Sequence, residues 1–330
     1  MLDSGSLLTG HISYLHSITN ITYYMNIQNN ILKKENATEK INISLTANTG
    51  GLIDPDYVVI HYTATDTARS AIDWFLNTSN NPDRIAAHIV IDLDGTITQL
   101  VPFNRKANHA GTSTWDGVDF FNSHSIGIEI VNPGFVEKLA NGSFRRMTGM
   151  DKNKKPVFKT YTAAEAGRIM KINHKHKFWT ANENRHWFKY PDAQLQALYK
   201  LCRKLFEIYH PVNAVGHDDI SPARKPDPGP AFPWDEFKTN VFGSANQVGK
   251  IFVVNTGGTN MRASFTTSAP IIKKLPVGFE LGLIETNGQW SKVYLADKSS
   301  DVLVKQAGKL RSVKTIGWIF SSLLTLKAGL

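Results

Sequence analysis

The chain has 330 residues, of which 42% are hydrophobic and 20% are charged. That length allows about two domains, and the composition argues against an intrinsically disordered protein. Lys and Arg number 37 against 28 for Asp and Glu, which gives a formal charge of +9 at pH 7. Such a surplus favours an anionic partner, such as nucleic acid, acidic lipid or cell wall, but a generally basic surface explains it equally well.

The cysteine count excludes some covalent and metal chemistry. Cys202 is the only cysteine, so neither an intrachain disulfide nor a four-cysteine zinc site can form. Leu198, Leu201 and Leu205 surround it at helical spacing, which predicts a buried structural thiol.

The first 25 residues contain no Lys or Arg and no clear cleavage site, so an ordinary secretory leader is not expected. No apolar run reaches the ~18 residues of a membrane span. We therefore expect no membrane span. The chain either leaves the cell by another route or resides in the cytoplasm before delivery.

The first half of the chain alternates predicted strands and helices. Residues 1–45 are polar and Asn-rich, which predicts a peripheral segment. The apolar, β-branched run Tyr57–Tyr62 predicts a strand buried on both faces, and a helix follows around Ala68–Leu76. The remaining predictions are a hairpin that turns at Asp94-Gly95, with strands at Ala87–Ile91 and Thr96–Val101, and a third buried strand at Ser125–Val131.

The second half begins with a Lys-rich elaboration at about 135–190, in which the pattern predicts one helix from about Thr162 to His174. An amphipathic helix, Ala193–Tyr209, leads to a loop rich in Pro and Gly, Val215–Trp234. Mixed strands and helices over residues 46–235 predict an α/β fold with helices flanking a mixed central sheet. Residues 236–250 are expected to be a linker. From residue 251 to 330 only short strands and turns are indicated, which predicts a small β-barrel.

Three residues suit a catalytic zinc site, which needs three protein ligands and one open position. His61 ends the first buried strand. His217 and Asp227 lie in one loop that its prolines stiffen. The spacing alone is a weak indication, because the chain has 11 histidines.

The surrounding sequence resembles the type-2 N-acetylmuramoyl-L-alanine amidase family, which includes phage lysozyme-like amidases and peptidoglycan recognition proteins. Five blocks occur in the order that the family has, across about residues 55–235. They are Val59-Ile60-His61-Tyr62-Thr63-Ala64, Ala87-His88-Ile89-Val90-Ile91-Asp92-Leu93-Asp94-Gly95-Thr96-Ile97, His109-Ala110-Gly111-Thr112-Ser113, Ser125-Ile126-Gly127-Ile128-Glu129, and Gly216-His217 through Asp227-Pro228-Gly229-Pro230.

The resemblance implies that His61, His217 and Asp227 bind one Zn²⁺ per chain. It also implies that Glu129, at the end of an apolar strand, takes the proton of the attacking water, because burial would raise the pKa of its carboxyl group. Lys225 would stabilise the oxyanion, and His109 would contact substrate. Three ordinary alternatives are a solvent-facing Glu129, a solvated Lys225 and a hydrogen-bonded loop histidine at position 109.

The implied activity is hydrolysis of the amide between the lactyl group of N-acetylmuramic acid and the L-alanine of the peptidoglycan stem peptide. A non-catalytic peptidoglycan-binding protein is the main alternative, and members that only bind have usually lost a ligand. A nucleic-acid-binding barrel is a third hypothesis, but the aromatic-interleaved basic motifs that it requires are absent.

The carboxy-terminal residues resemble a bacterial SH3 domain, a module that commonly binds cell-wall peptides. The stretch from Lys298 to Lys314 is longer than usual for this domain. The resemblance is carried by four motifs, Asn260-Met261-Arg262-Ala263-Ser264, Leu275-Pro276-Val277-Gly278, Gly288-Gln289-Trp290-Ser291-Lys292-Val293 and Gly317-Trp318-Ile319. We therefore expect a monomeric enzyme whose partner is peptidoglycan. It would act on the cell wall, in the periplasm or outside the cell, without binding nucleic acid.

Overall fold

A computed structural model describes residues 25–174, 183–222, 224–242, 250–296, 300, 302–306 and 309–327. The strands are β1 Asn26–Gln28, β2 Ile31–Lys33, β3 Ile41–Ile43, β4 Tyr57–Tyr62, β5 Ile89–Ile91, β6 Ile97–Gln99, β7 Thr114–Trp115, β8 Val118–Asp119, β9 Ser125–Ile130, β10 Phe135–Lys138, β11 Phe144–Met150, β12 Pro156–Tyr161, β13 Ile169–His174, β14 Glu183–Phe188, β15 Asn213–Gly216, β16 Ile251–Val254, β17 Thr259–Arg262, β18 Ile271–Leu275, β19 Glu280–Asn287, β20 Trp290–Leu295, β21 Val302–Gln306, β22 Lys309–Val313, β23 Ile316–Phe320 and β24 Leu324–Leu326. The helices are α1 Ala68–Leu76, α2 Ala163–Ala166, α3 Asp192–Tyr209, α4 His217–Ile220 and α5 Trp234–Phe242, with 3₁₀ turns at Phe121–Ser123 and Ser321–Leu323.

A six-stranded mixed sheet forms the centre of the molecule, in the order β15-β4-β9-β5-β6-β3. Strands β15, β4, β9 and β5 are parallel neighbours, β6 is antiparallel to β5, and β3 is parallel to β6. Val58 and Ile60 pack with α3 on one face, whereas Val90 packs with α1 on the other. Both faces are covered, which explains the continuous apolar runs and confirms the predicted α/β class.

The amino-terminal segment differs from the prediction where the structure describes it. Met25, Leu32 and Ile41 are at most 5% exposed and belong to the main core, and β3 forms one edge of the central sheet. Residues 25–45 are therefore not a peripheral segment. Residues 1–24 lie outside the described part of the chain.

Two further predictions are corrected between residues 160 and 250. The predicted helix from about Thr162 to His174 is only the single turn α2, after which β13 pairs with β14. The predicted linker at 236–250 begins inside α5, because Phe237 is fully buried against α3 and contacts Tyr199. Residues 243–249 lie outside the described residues.

The elaboration at about 135–190 forms a separate antiparallel sheet in the order β12-β11-β10-β14-β13. Val136, Tyr161 and Phe188 form its small core. Asn132 joins it to the central sheet, since the Asn132 side-chain amide donates to the Phe188 carbonyl at 3.1 Å. The elaboration thus lies next to the end of β9.

The carboxy-terminal region is a seven-stranded sheet in the order β18-β17-β23-β20-β19-β16-β24, and β21 and β22 form a separate hairpin. That hairpin occupies the long stretch between Lys298 and Lys314. The strands confirm an all-β region, and the SH3-like assignment stays a prediction. Within the described residues, no helix is both long and apolar enough to cross a membrane.

Candidate metal and active site

Three predicted ligands meet at the carboxyl ends of β4 and β15. His61 lies in β4, and His217 follows β15, whose Gly216 is level with Ile60. The two Nδ1 atoms are 2.8 Å apart, and each lies 3.0 Å from Oδ2 of Asp227. All three residues are at most 5% exposed. His217 and Asp227 follow His61 by 156 and 166 positions in the chain, and folding brings all three into one buried cluster.

The donor set of this cluster fits a metal ion. Burial, together with His217, lowers the pKa of His61 to about 4, so its imidazole is neutral and keeps a lone pair. Burial alone would raise the pKa of the Asp227 carboxyl group, but the two imidazoles hold this pKa well below its ordinary value. Two imidazole nitrogens and one carboxylate oxygen therefore face one point, which is a donor set that zinc accepts.

The outward nitrogens of both histidines are bonded, and this fixes the orientation of each ring. His217 Nε2 donates to the Ala110 carbonyl at 3.1 Å. His61 Nε2 lies 3.0 Å from Nδ1 of His109, whose own Nε2 lies 3.4 Å from the Ser125 carbonyl. If Nδ1 of His61 is to bind a metal, its Nε2 must carry the proton and donate to His109.

His109 therefore lies behind a ligand, where the residue is only 8% exposed. This contact with His61 accounts for the buried position of His109, and the substrate contact that the sequence suggested stays a prediction. Asn122 holds the backbone here, because its Oδ1 accepts the N–H groups of His109 and Ala110 at 2.9 and 2.7 Å.

Glu129 is level with His61 on the neighbouring parallel strand. Paired residues of adjacent strands project from the same face, so the carboxyl group of Glu129 and the His61 ring lie on one side of the sheet. Burial, with the nearby charge of Asp227, raises the pKa of Glu129 to about 8 against the opposing effect of Lys225. Its Oε2 is buried and has no hydrogen-bond partner among the described residues. Such a carboxyl group can exchange a proton near neutral pH.

Two cations flank the cluster in the loop that carries Asp227. The half-buried Lys225 lies near enough for its charge to act on both His61 and Glu129. Arg224 instead donates to the carbonyls of Ala110 and Thr112 at 2.8 and 3.0 Å. That bonding gives Arg224 a structural role, because it ties the loop of Asp227 to residues 110–112.

Sequence reasoning missed two residues that shape the site. The Tyr190 hydroxyl donates to the Pro228 carbonyl at 2.8 Å, next to Asp227, and nothing in the local sequence signals it. A Cβ at Gly127 would lie 2.3 Å from the His109 ring. A glycine inside the apolar strand β9 is a recognisable signal of such a close approach.

Two other aromatic residues have structural roles. His88 is fully buried, accepts the Gly127 N–H at 3.0 Å and donates to the Arg105 carbonyl at 2.8 Å, as expected for a core histidine. Trp115 is 4% exposed, and Tyr294 of the carboxy-terminal sheet covers it at 5.0 Å between ring centroids. Trp115 is therefore a buried aromatic residue of the contact between the two regions.

Comparison with known proteins decides the family. The sequence model of the N-acetylmuramoyl-L-alanine amidase family matches residues 52–230, which is more than half of the chain and contains the whole cluster. The chain belongs to this family. Its amidase region is 32% identical over 160 residues to 1,6-anhydro-N-acetylmuramyl-L-alanine amidase AmpD of Escherichia coli K12, a match that covers 48% of this chain and 59% of that protein.

A second sequence relative and one solved structure were also compared with the chain. N-acetylmuramoyl-L-alanine amidase AmiD of Escherichia coli K12 is 29% identical over 196 residues, covering 57% of this chain and 53% of that protein. The match therefore spans little more than half the length of either curated relative. A crystal structure of a selenomethionine AmpD derivative aligns at 23% identity with a TM-score of 0.43, covering 66% of this chain and 99% of that chain.

Proposed function

We propose that this chain is a zinc-dependent N-acetylmuramoyl-L-alanine amidase. It would hydrolyse the amide between the lactyl group of N-acetylmuramic acid and the L-alanine of the peptidoglycan stem peptide. Membership of the family supports the reaction class. The observation that carries the proposal is the buried cluster of His61, His217 and Asp227, with Glu129 beside it on the next strand.

In the proposed mechanism, His61, His217 and Asp227 would hold the zinc. The bound ion would supply Lewis acidity toward an amide carbonyl and water. Glu129 accepts a proton from the attacking water and then donates it to the nitrogen of the leaving alanine. The Lys225 ammonium attracts the negative charge that develops on the carbonyl oxygen. His109 and Ala110 keep the two imidazoles in the orientation that leaves Nδ1 unprotonated.

The remaining parts of the proposal concern location and the carboxy-terminal sheet. We propose that the enzyme acts on the cell wall, and that residues 251–330 form an SH3-like module that binds wall peptides. The contact between Trp115 and Tyr294 supports a module that is docked on the catalytic region. Binding of the module to isolated wall sacculi, with or without metal, tests this part separately.

A soluble muramoyl peptide tests the proposed reaction directly. Mass spectrometry should detect addition of one water and a new amino-terminal alanine. His217→Ala should lose both bound zinc, measured by elemental analysis, and product. Glu129→Gln should retain zinc while kcat falls by about 10²–10⁴. His124→Ala and Glu207→Gln, which alter exposed side chains, are the matched controls.

The outcomes separate an enzyme from a receptor. A zinc-loaded protein that binds the muramoyl peptide but releases no product would make the chain a peptidoglycan-binding protein. A protein that cleaves the amide equally well after complete removal of metal would refute the assigned role of the cluster.

A further inference from the structure

The outer half of the β11–β12 hairpin projects into solvent. Every residue from 147 to 158 is exposed. Four of them are large and apolar: Met147, Met150, Val157 and Phe158 are between 44% and 61% exposed. A contiguous apolar surface of this kind on a soluble protein commonly marks an interaction site.

The pairing register gathers most of these side chains on one face. Met147 pairs with Phe158 and Met150 with Pro156, whereas Gly149 pairs with Val157. Because cross-strand partners share a face and β12 alternates regularly, Met147, Met150 and Phe158 project together. This group, with Pro156, is called the apolar face below.

The opposite face of the hairpin is fastened to the body of the protein. Arg146 and Lys159 lie 3.7 and 3.4 Å from the carboxylate of Asp66, and Lys159 also pairs with Glu165 at 2.8 Å. Tyr161 on the same face is buried. The apolar face therefore points away from the body of the protein.

The charged side chains that face solvent at the tip of the hairpin are all positive. Between Phe144 and Tyr161 the sequence has six basic residues and one acidic residue, Asp151. The carboxylate of Asp151 accepts the backbone N–H groups of Asn153 and Lys155 at 2.8 and 2.9 Å, and so holds the turn. Lys152, Lys154 and Lys155 are exposed, and among the described residues no ion pair engages them.

We propose that this hairpin is a peripheral anchor that binds the surface of an anionic lipid bilayer. The apolar face would enter the boundary between head groups and acyl chains, while the three lysines meet acidic head groups. A wall polymer also offers negative charge, but it has no apolar layer that could cover Met147, Met150 and Phe158. Charge and apolar surface together therefore favour lipid.

The anchor also orients the candidate site. Asp66, which binds the hairpin, follows β4 five residues after His61. A bilayer bound to the apolar face would thus lie on the side of the molecule where the site-bearing ends of β4 and β9 are found. The inference does not depend on the proposed reaction, because lipid binding needs neither metal nor Glu129.

Sedimentation of the full chain with vesicles tests the proposal. We expect binding to vesicles that contain phosphatidylglycerol, weaker binding at high salt, and little binding to phosphatidylcholine alone. Replacing Lys152, Lys154 and Lys155 with Gln should weaken binding on the order of 100-fold, at about 1 kcal/mol for each cation. Met147→Ser with Phe158→Ser should weaken it at least about tenfold.

The controls make Lys→Gln and apolar-to-Ser substitutions elsewhere on the surface. Lys33→Gln with Lys34→Gln, and Val212→Ser, change exposed residues outside the hairpin and should leave binding intact. Equal binding by the hairpin variants and the wild-type chain would overturn the proposal. A second result would also overturn it: the wild-type chain does not bind vesicles, and the hairpin variants lose binding to wall sacculi. That result would assign the hairpin to the wall.

Discussion

Glu129→Gln perturbs both the stability and the activity of the protein, and the two effects have opposite signs. The structure raises the pKa of this carboxyl group from 4.5 to about 8, mainly through burial. Glutamine has nearly the same shape and no charge. The substitution therefore removes the cost of ionising a buried group without opening a cavity.

The sign and size of the stability effect follow from proton linkage. Below pH 4.5 Glu129 is protonated in both the folded and the unfolded chain, so the two proteins should be equally stable. As pH rises towards about 8, the unfolded chain releases the proton and the folded chain keeps it, so wild-type stability falls. Each tenfold change in proton affinity is worth about 1.4 kcal/mol, so above this range the variant should be the more stable protein. Glu129 is partly exposed, and solvent screening keeps the difference below about 5 kcal/mol.

Urea unfolding of metal-free protein, at about pH 5 and about pH 9, measures this difference. Glu207→Gln in α3 is the control, because it makes the same chemical change at a side chain that is 65% exposed. For the zinc-loaded variant, kcat should fall by about 10²–10⁴ relative to the wild-type chain. Parallel pH profiles for wild-type and Glu129→Gln protein would mean that the folded chain solvates this carboxylate, and its role as proton carrier would lose its physical basis.

Two further predictions concern contacts around the site. His109→Leu removes the acceptor behind His61 and should weaken zinc affinity by about 10–100-fold in competition with a chelating dye, whereas unchanged affinity would show that His109 does not orient the ligand. Asp116 in the catalytic region pairs with Lys292 of the carboxy-terminal sheet at 3.0 Å. A double-mutant cycle with Asp116→Asn and Lys292→Met should give a coupling energy of about 1 kcal/mol in unfolding experiments, and no coupling would indicate that the two regions are not docked in solution.

Local sequence predicted the elements whose pattern is complete within a few residues. The run Tyr57–Tyr62 is a strand buried on both faces, and Ala193–Tyr209 lies within the amphipathic helix α3. The strand is indicated by a short, continuous run of apolar, β-branched residues, and the helix by apolar residues that repeat with its 3.6-residue period. The spacing of histidines was a weak indication, and the resemblance to the family selected His61, His217 and Asp227.

Predictions failed where distant residues decide the conformation. The short, polar stretch that contains Ile41–Ile43 becomes an edge strand only because β6 is available to pair with it. Residues after Gly167 form β13 instead of a helix because β14 supplies hydrogen bonds from across the elaboration. The helix α5 replaces the start of a linker because Phe237 finds a buried position against Tyr199. Short segments have weak intrinsic preferences, so tertiary partners override them.

For the chemistry of the site, too, the sequence determined one part and the tertiary structure another. The sequence by itself determined which side chains are present, that two imidazoles and an aspartate can serve as ligands, and that Glu129 ends an apolar strand. Only the tertiary structure decided that Glu129 is level with His61, that His109 supports His61 from behind, and that Tyr294 covers Trp115. These contacts join residues far apart in the chain, and proton affinity and ring orientation depend on distances that folding alone establishes.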